Sequence, residues 1–401
     1  MSSLAILGGP VLRSRPFLQW PVFAEADRAA LLQTFESGQW GGYGAAVRQF
    51  EGEFSKAHDS LYGITTANGT LSLEAALISC GIGPGDEVII PPISFVATAT
   101  AVLRAGAIPV FADIDPRTYN LDPSNAAAAV TPRTKAIIPV HFAGHPADMD
   151  ALMPLAARHG LAVIEDCAHA HGASWKSRKV GSFGNFGSFS FQQSKNMTAG
   201  EGGILITSDP RLAELAWSYG NQGRSPHGAW YQHDRLGTNL RLTSLQSALL
   251  RIQLERLPAQ LAQRAENAAR LRAGLNTGSI LCAPEFDLRV TCHGLHLFVM
   301  RLNTQRCPGL SRDRVVEALV AEGITGASRY PYPLYRNRLF QNHEHRVLPC
   351  PSAERMTREC LWFTNDVLLG SPEDVDDVLK AIAKITEFAE ELLVADTETA
   401  Q

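Results

Sequence analysis

The chain reads as an α/β protein built on a largely parallel sheet, and three observations predict it. Between about Leu61 and Ser208, short β-rich runs alternate with helical stretches. The strand-like runs are almost wholly apolar, as strands covered on both faces by helices must be. After Ser244 the alternation gives way to long helical patterns and then a mixed region.

Taken in order, Ile64-Thr-Thr66 is β-like and Asn68-Gly-Thr70 follows it, opening a helix over 71–80. Strands are predicted at 88–90, 108–111, 136–140, 161–164, 189–191 and 203–206, with helices at 96–104 and 149–158 between them. The run Ala126-Ala-Ala-Ala129 belongs to a further helix. Residues 245–257 and 261–271 read as two helices interrupted near Pro258, because proline lacks the donor N–H and crowds the preceding turn. Beyond them lie a strand-like run at 296–302, a helix at about 312–322 and a closing helix at 373–394. The expected division is an N-terminal segment with a large α/β domain over 1–261, and a smaller α+β domain over 262–401.

With 45% hydrophobic and 19% charged residues in 401, the composition is that of a soluble globular protein. A net charge of -4 gives no electrostatic reason to bind nucleic acid or an anionic membrane. No apolar stretch approaches the roughly 20 residues that span a bilayer. The start, Met-Ser-Ser-Leu-Ala-Ile-Leu, lacks the basic segment of a secretory signal. Seven scattered cysteines without a CxxC pair suit free thiols in a reducing compartment, so the expected location is the cytoplasm.

In open parallel sheets ligands bind beyond the carboxyl ends of the strands, so residues there are read for chemistry first. Lys195 is the only charged side chain between Val180 and Gly200, set among Gly, Ser, Phe and Gln. Desolvation there would lower its pKa and free its amine as a nucleophile. Asp166 closes a strand and is followed by Cys167-Ala-His-Ala-His171; a carboxylate against a heteroaromatic nitrogen would keep that nitrogen protonated, as an electron-sink cofactor needs. The bland alternative is a helix cap.

Gly69 and Thr70 at a helix start can bind phosphate through backbone amides and a hydroxyl, although Asn-Gly-Thr also makes an ordinary turn. Ser190 could add a second hydroxyl, and Phe95 could cover a flat ring, unless it is simply core. A metal site built on His141, His145, Cys167, His169 and His171 is disfavoured, because the spacing shows no closed ligand set, and no metal is expected. The GxxxxGK[ST], strand-to-helix GxGxxG and GxSxG signatures are absent. A lone lysine, a strand-end acid, a phosphate cradle and an aromatic cover together specify pyridoxal 5'-phosphate.

With these residues in place the chain resembles the DegT/DnrJ/EryC1/StrS family of pyridoxal-phosphate aminotransferases. The likeness runs through Phe50-Glu-Gly-Glu-Phe54, Asn68-Gly-Thr70, Gly83-Pro-Gly-Asp-Glu-Val-Ile-Ile-Pro91, Glu165-Asp-Cys-Ala-His-Ala-His-Gly172, Ser190 to Lys195, Thr198-Ala-Gly-Glu-Gly-Gly203 and Gly237-Thr-Asn-Leu-Arg241. It implies the aspartate-aminotransferase architecture, fold type I, as a homodimer with shared active sites. It implies that Lys195 anchors the cofactor covalently and acts as general base, that Asp166 pairs with the ring nitrogen and that Phe95 stacks on the ring. Gly69, Thr70 and Ser190 would hold the phosphate, with Asn239 reaching it from the partner, and His169 would stand near the ring hydroxyl where many members have glutamine.

The implied reaction moves an amino group from glutamate or glutamine to the ketone of a sugar or cyclitol, in the making of an amino sugar, aminocyclitol or related secondary metabolite. Phe191-Gln-Gln-Ser-Lys195 and Ser328-Arg-Tyr-Pro-Tyr-Pro-Leu-Tyr335 look closer to the cyclitol and 3-amino-5-hydroxybenzoate synthase branches than to nucleotide-sugar enzymes. Tyr330, Tyr332, Tyr335, Trp40 and His141 are candidate acceptor contacts. The alternatives are a synthase that dehydrates and aromatises its substrate with the same lysine, and a cofactor-binding regulator without turnover.

Overall fold

The computed structural model describes residues 4–275 and 278–393. The first seven strands to follow one another in the chain are β1 (Tyr62–Thr66), β2 (Glu87–Ile90), β3 (Ile108–Phe111), β4 (Thr134–Ile137), β5 (Ala162–Asp166), β6 (Ser174–Trp175) and β7 (Arg178–Lys179). Next come β8 (Phe186–Ser190), β9 (Gly203–Thr207), β10 (Leu281–Cys282), β11 (Val290–Cys292), β12 (Leu297–Leu302), β13 (Ala327–Ser328), β14 (Arg346–Val347) and β15 (Cys360–Thr364).

Eight of these make one sheet in the order β1-β9-β8-β5-β4-β2-β3-β14. From β8 to β14 every neighbouring pair is parallel, and only β9 runs against its two neighbours. Strands β2, β3, β8 and β9 are buried along their whole length, which explains their unbroken apolar reading in the sequence. Helices Gly69–Ser79, Ala97–Arg104 and Met149–His159 lie between strands, as the sequence predicts.

A second sheet, β10-β12-β15-β13, is antiparallel and packs with the helices Arg312–Ala321 and Pro372–Glu387 around Phe298, Met300, Leu361 and Phe363. Leu4 enters this second core, and β14 from the same late part of the chain joins the first sheet, so the two halves hold one another through exchanged segments. The closing helix expected over 373–394 is Pro372–Glu387, and residue 394 lies outside the described residues.

The predicted break near Pro258 does not occur. One helix of 31 residues, Ser244–Gly274, passes straight through it, started by Thr243 and Gln246 in a reciprocal cap. A mid-helix proline costs about 3 kcal/mol. Leu250, Leu257 and Leu261 are buried in the core under the first sheet while Ala268 and Leu271 are buried in the second, and each such leucine contributes about 1.5–3 kcal/mol. Burial at both ends therefore outweighs the proline, and the helix becomes the beam between the two cores.

Candidate active site

Because β1, β2, β4, β5 and β8 point the same way, the loops leaving them converge on one edge of the sheet. The second sheet closes over that edge and leaves a cavity of about 910 Å3. Gly69, Thr70, Phe95, Asp166, His169, Ser190 and Lys195 all line it, although they span more than a hundred residues of sequence.

Lys195 follows β8 in a tight turn, with its backbone N–H donating to the Gln192 carbonyl at 2.9 Å. No protein group is hydrogen-bonded to its amine among the described residues. Desolvation lowers its pKa to about 8, and the attraction of Asp166 opposes the fall. The amine is thus free of protein partners and has a far larger neutral, nucleophilic fraction at ordinary pH than an exposed lysine.

Asp166 ends β5 and is buried. Its Oδ2 accepts from the Thr98 hydroxyl at 2.8 Å, and its Oδ1 accepts from the Ala168 N–H at 3.2 Å. Thr98 in turn lies 2.7 Å from the Ser94 hydroxyl. Since Thr98 spends its proton on the carboxylate, Ser94 must be the donor in that second bond. Burial still pushes the Asp166 pKa upward, with Thr98 and Ala168 pulling it down. A cationic partner in the cavity would relieve that burial penalty.

The helix Gly69–Ser79 begins at the cavity, capped by Asn68, whose side chain accepts from the Leu71 N–H at 3.0 Å. That leaves the Gly69 and Thr70 N–H groups, the first two of the helix, without an internal partner. Gly69 lies so close to Ser190 that a Cβ there would stand 2.7 Å from the serine Cβ. Two amides, two hydroxyls and a glycine admitting close approach form an anion cradle. The cradle, the free amine and the under-partnered acid fit the phosphate, aldehyde and ring nitrogen of pyridoxal phosphate.

His169 is buried, and its Nδ1 accepts from the Ala143 N–H at 3.3 Å, so the ring proton sits on Nε2. Burial, with Lys195 and His171 adding repulsion, holds its pKa well below the usual histidine range. Phe95 is 60% exposed on the cavity rim, so it is not the core residue of the bland reading. Asn239 is not among the cavity-lining residues; it sits on an exposed segment, where its side chain accepts from the Arg241 N–H at 3.2 Å.

Of the five proposed acceptor contacts only Tyr330 reaches the cavity. The Tyr335 hydroxyl donates to Glu354 at 2.6 Å and the Trp40 indole to the Phe35 carbonyl at 2.9 Å. His141 is fully buried, accepting from the Ala147 N–H and donating to Glu165 at 3.0 Å. Glu165 also accepts from the N–H groups of Gly181, Phe183 and Gly184, so these two side chains brace the turn before β8. Sequence reasoning missed Thr98, His296, Trp362 and Thr364, which also line the cavity. A histidine opening the apolar run 296–302 was the one available signal for the last three.

A model of the DegT/DnrJ/EryC1/StrS aminotransferase family matches residues 21–383. The chain belongs to this family. It is 38% identical over 420 residues to an L-glutamine:2-deoxy-scyllo-inosose aminotransferase of Streptoalloteichus tenebrarius, covering 97% of this chain and 99% of that protein. It is 37% identical over 371 residues to the 3-amino-5-hydroxybenzoate synthase of Amycolatopsis mediterranei, covering 89% of this chain and 94% of that one. A crystal structure of 3-amino-5-hydroxybenzoic acid synthase superposes with a TM-score of 0.87 at 36% identity, over 92% of this chain and 98% of its own. The protein is a pyridoxal-phosphate-dependent aminotransferase of the α/β architecture the family implies. Among the described residues no helix is long and apolar enough to cross a membrane.

Proposed function

We propose that this aminotransferase takes its amino group from glutamine and delivers it to the ketone of a cyclitol, as its relatives' names suggest. The observation that carries the reading is the unpartnered, desolvated Lys195 amine sharing one cavity with Asp166. Bound pyridoxal phosphate supplies an electron sink that labilises a C–H bond next to nitrogen.

In this reading Lys195 anchors the cofactor covalently and, once released, carries the proton between carbon centres as its amine cycles between neutral and charged. Asp166 holds the ring nitrogen protonated, locked in place by Thr98 and Ala168. Gly69, Thr70 and Ser190 would hold the phosphate, Phe95 would cover the ring, and His169 would donate from Nε2 to the ring hydroxyl.

The active enzyme is a homodimer. Asn239 supports this: it lies outside its own chain's cavity on a segment carrying Trp230, Tyr231 and Leu236, which are 80%, 77% and 95% exposed. That much exposed apolar surface on one projecting loop suits coverage by a second copy, whose phosphate site Asn239 then completes. Mixing Lys195→Ala with Asn239→Ala protomers tests it, because hybrids restore one intact site and neither parent does.

Addition of glutamine should convert the absorbance of the oxidised cofactor to that of its aminated form, and a cyclitol ketone should restore it. A protein that binds the cofactor and never makes this change refutes the proposal. The likeness to 3-amino-5-hydroxybenzoate synthases favours a second reading, amination with loss of water and aromatisation. Product analysis separates them, since only that reading yields an aromatic amine.

A further inference from the structure

The cavity has two walls of different construction. The sheet-edge wall is the one assigned above to the cofactor, and the opposite wall comes from the second sheet. There His296 stands just before β12, Tyr330 just after β13, and Trp362 and Thr364 on β15. A cavity of about 910 Å3 leaves room for a second ring between the walls.

The polar tips of the far wall are uncommitted. No protein hydrogen bond reaches the Tyr330 hydroxyl or either ring nitrogen of His296 among the described residues, and His296 Nδ1 is fully enclosed. That leaves His296 Nε2 for the cavity the ring lines. Cavity-facing polar atoms without a protein partner, the Tyr330 hydroxyl and His296 Nε2, gain from a ligand group placed against them. Both tips are also uncharged: burial holds the His296 imidazole well below its usual pKa and lifts the Tyr330 phenol above its own. The phenol therefore offers a donor and an acceptor, and His296 Nε2 one or the other according to the tautomer, so each can pair with a hydroxyl.

Charge recognition is missing from this wall. The two basic side chains lining the cavity are Lys195, reserved for the reaction, and Arg104, hydrogen-bonded to Glu74. Trp362 meets Tyr330 edge to face at 4.9 Å and gives the wall an apolar platform for ring C–H groups. Tyr330 feels the charge of Asp166, and His296 that of Lys195, so the wall faces the reacting centre.

We propose that His296 and Tyr330 are specificity-determining residues of the acceptor subsite, each hydrogen-bonding a different hydroxyl of a neutral polyhydroxylated cyclohexanone. This rests on the cyclitol reading given above.

The test pairs residue with hydroxyl. Cofactor-loaded native enzyme, Tyr330→Phe, His296→Phe and His296→Gln are each assayed with glutamine, a pentahydroxycyclohexanone and its monodeoxy counterparts. Tyr330→Phe keeps the packing on Trp362, and His296→Gln keeps a donor and an acceptor. Native enzyme should favour the full polyol over two of the monodeoxy ketones by about tenfold in kcat/KM. Tyr330→Phe should erase the preference at one carbon and His296→Phe at another, while His296→Gln retains it. Calorimetry of a hexahydroxycyclohexane on the pyridoxamine-phosphate form should show about tenfold weaker binding in each Phe variant. The assignment is overturned if the variants lower kcat/KM equally for hydroxylated and deoxy ketones, or bind the hexol like native enzyme. Native enzyme that aminates none of the cyclohexanones defeats the cyclitol reading itself, and the subsite with it.

Discussion

The sheet-edge wall and the far wall of the cavity differ in how their polar groups are held. On the first, Asp166 is fixed by Thr98 and Ala168, Thr98 by Ser94, and Asn68 by the helix it caps. On the second, the Tyr330 hydroxyl and the His296 ring nitrogens have no protein hydrogen-bond partner among the described residues. Preorganised groups aimed at a developing charge need no reorganisation during reaction, so the first wall suits chemistry common to every turnover. Free neutral tips in an aromatic setting suit recognition of one ligand. On the proposed reading, catalysis belongs to one sheet and selection to the other.

If that division holds, damage to the first wall should slow donor and acceptor halves alike, and damage to the second only the acceptor half. The largest effect is expected from Lys195→Ala, which on the proposed reading removes anchor and base together and should cost about ten-thousandfold or more in turnover. Single-turnover assays of each half check that both fall. Asp166→Asn should follow, with a loss of about a hundredfold to a thousandfold, because an amide cannot hold a positive ring nitrogen. Weaker retention of pyridoxal phosphate, measured by absorbance after dialysis, should accompany it.

Thr98→Val is expected to cost about tenfold to a hundredfold, the worth of a hydrogen bond to a charged group. The sign of its pH effect is fixed. The hydroxyl lowers the Asp166 pKa, so removing it raises that pKa, and the acid limb of the activity profile should move to higher pH. Thr98→Ser should restore the native profile; an unmoved limb in the valine variant would make Thr98 a packing residue.

The smallest and most local expectation concerns the Lys195 amine itself. In cofactor-free protein its acylation should rise with pH, reach half its plateau near pH 8 and level above that, because only the neutral amine reacts. Lysines near the ordinary value of about 10.5 should still be gaining reactivity there. Competitive labelling read by mass spectrometry checks it, and a Lys195 that titrates with the others would remove the desolvation argument.

The same division explains what the sequence could disclose. Lys195, Asp166, Ser190 and the Gly69-Thr70 pair each follow or end one of the strands that share a direction in one largely parallel sheet, and that topology alone brings strand ends together. Thr98 was hidden inside a predicted helix, where a threonine three residues after Phe95 carries no mark of an acid beside it. Trp362 and Thr364 belong to, and His296 just precedes, strands of an antiparallel sheet whose docking over the first is set by tertiary packing, which no local period records. Pro258 misled for a related reason: the local penalty was visible, and the burial of Leu257, Leu261 and Leu271 that overrides it was not.

On the proposed reading this cavity moves nitrogen from glutamine to a cyclitol ketone and does nothing further to the ring. Mass spectrometry of products from 15N-amino-labelled glutamine and a polyhydroxycyclohexanone tests it most directly. The expected product carries the label in place of the ketone oxygen and keeps every hydroxyl. An unlabelled ring, or a labelled ring that has lost water and become aromatic, would contradict it.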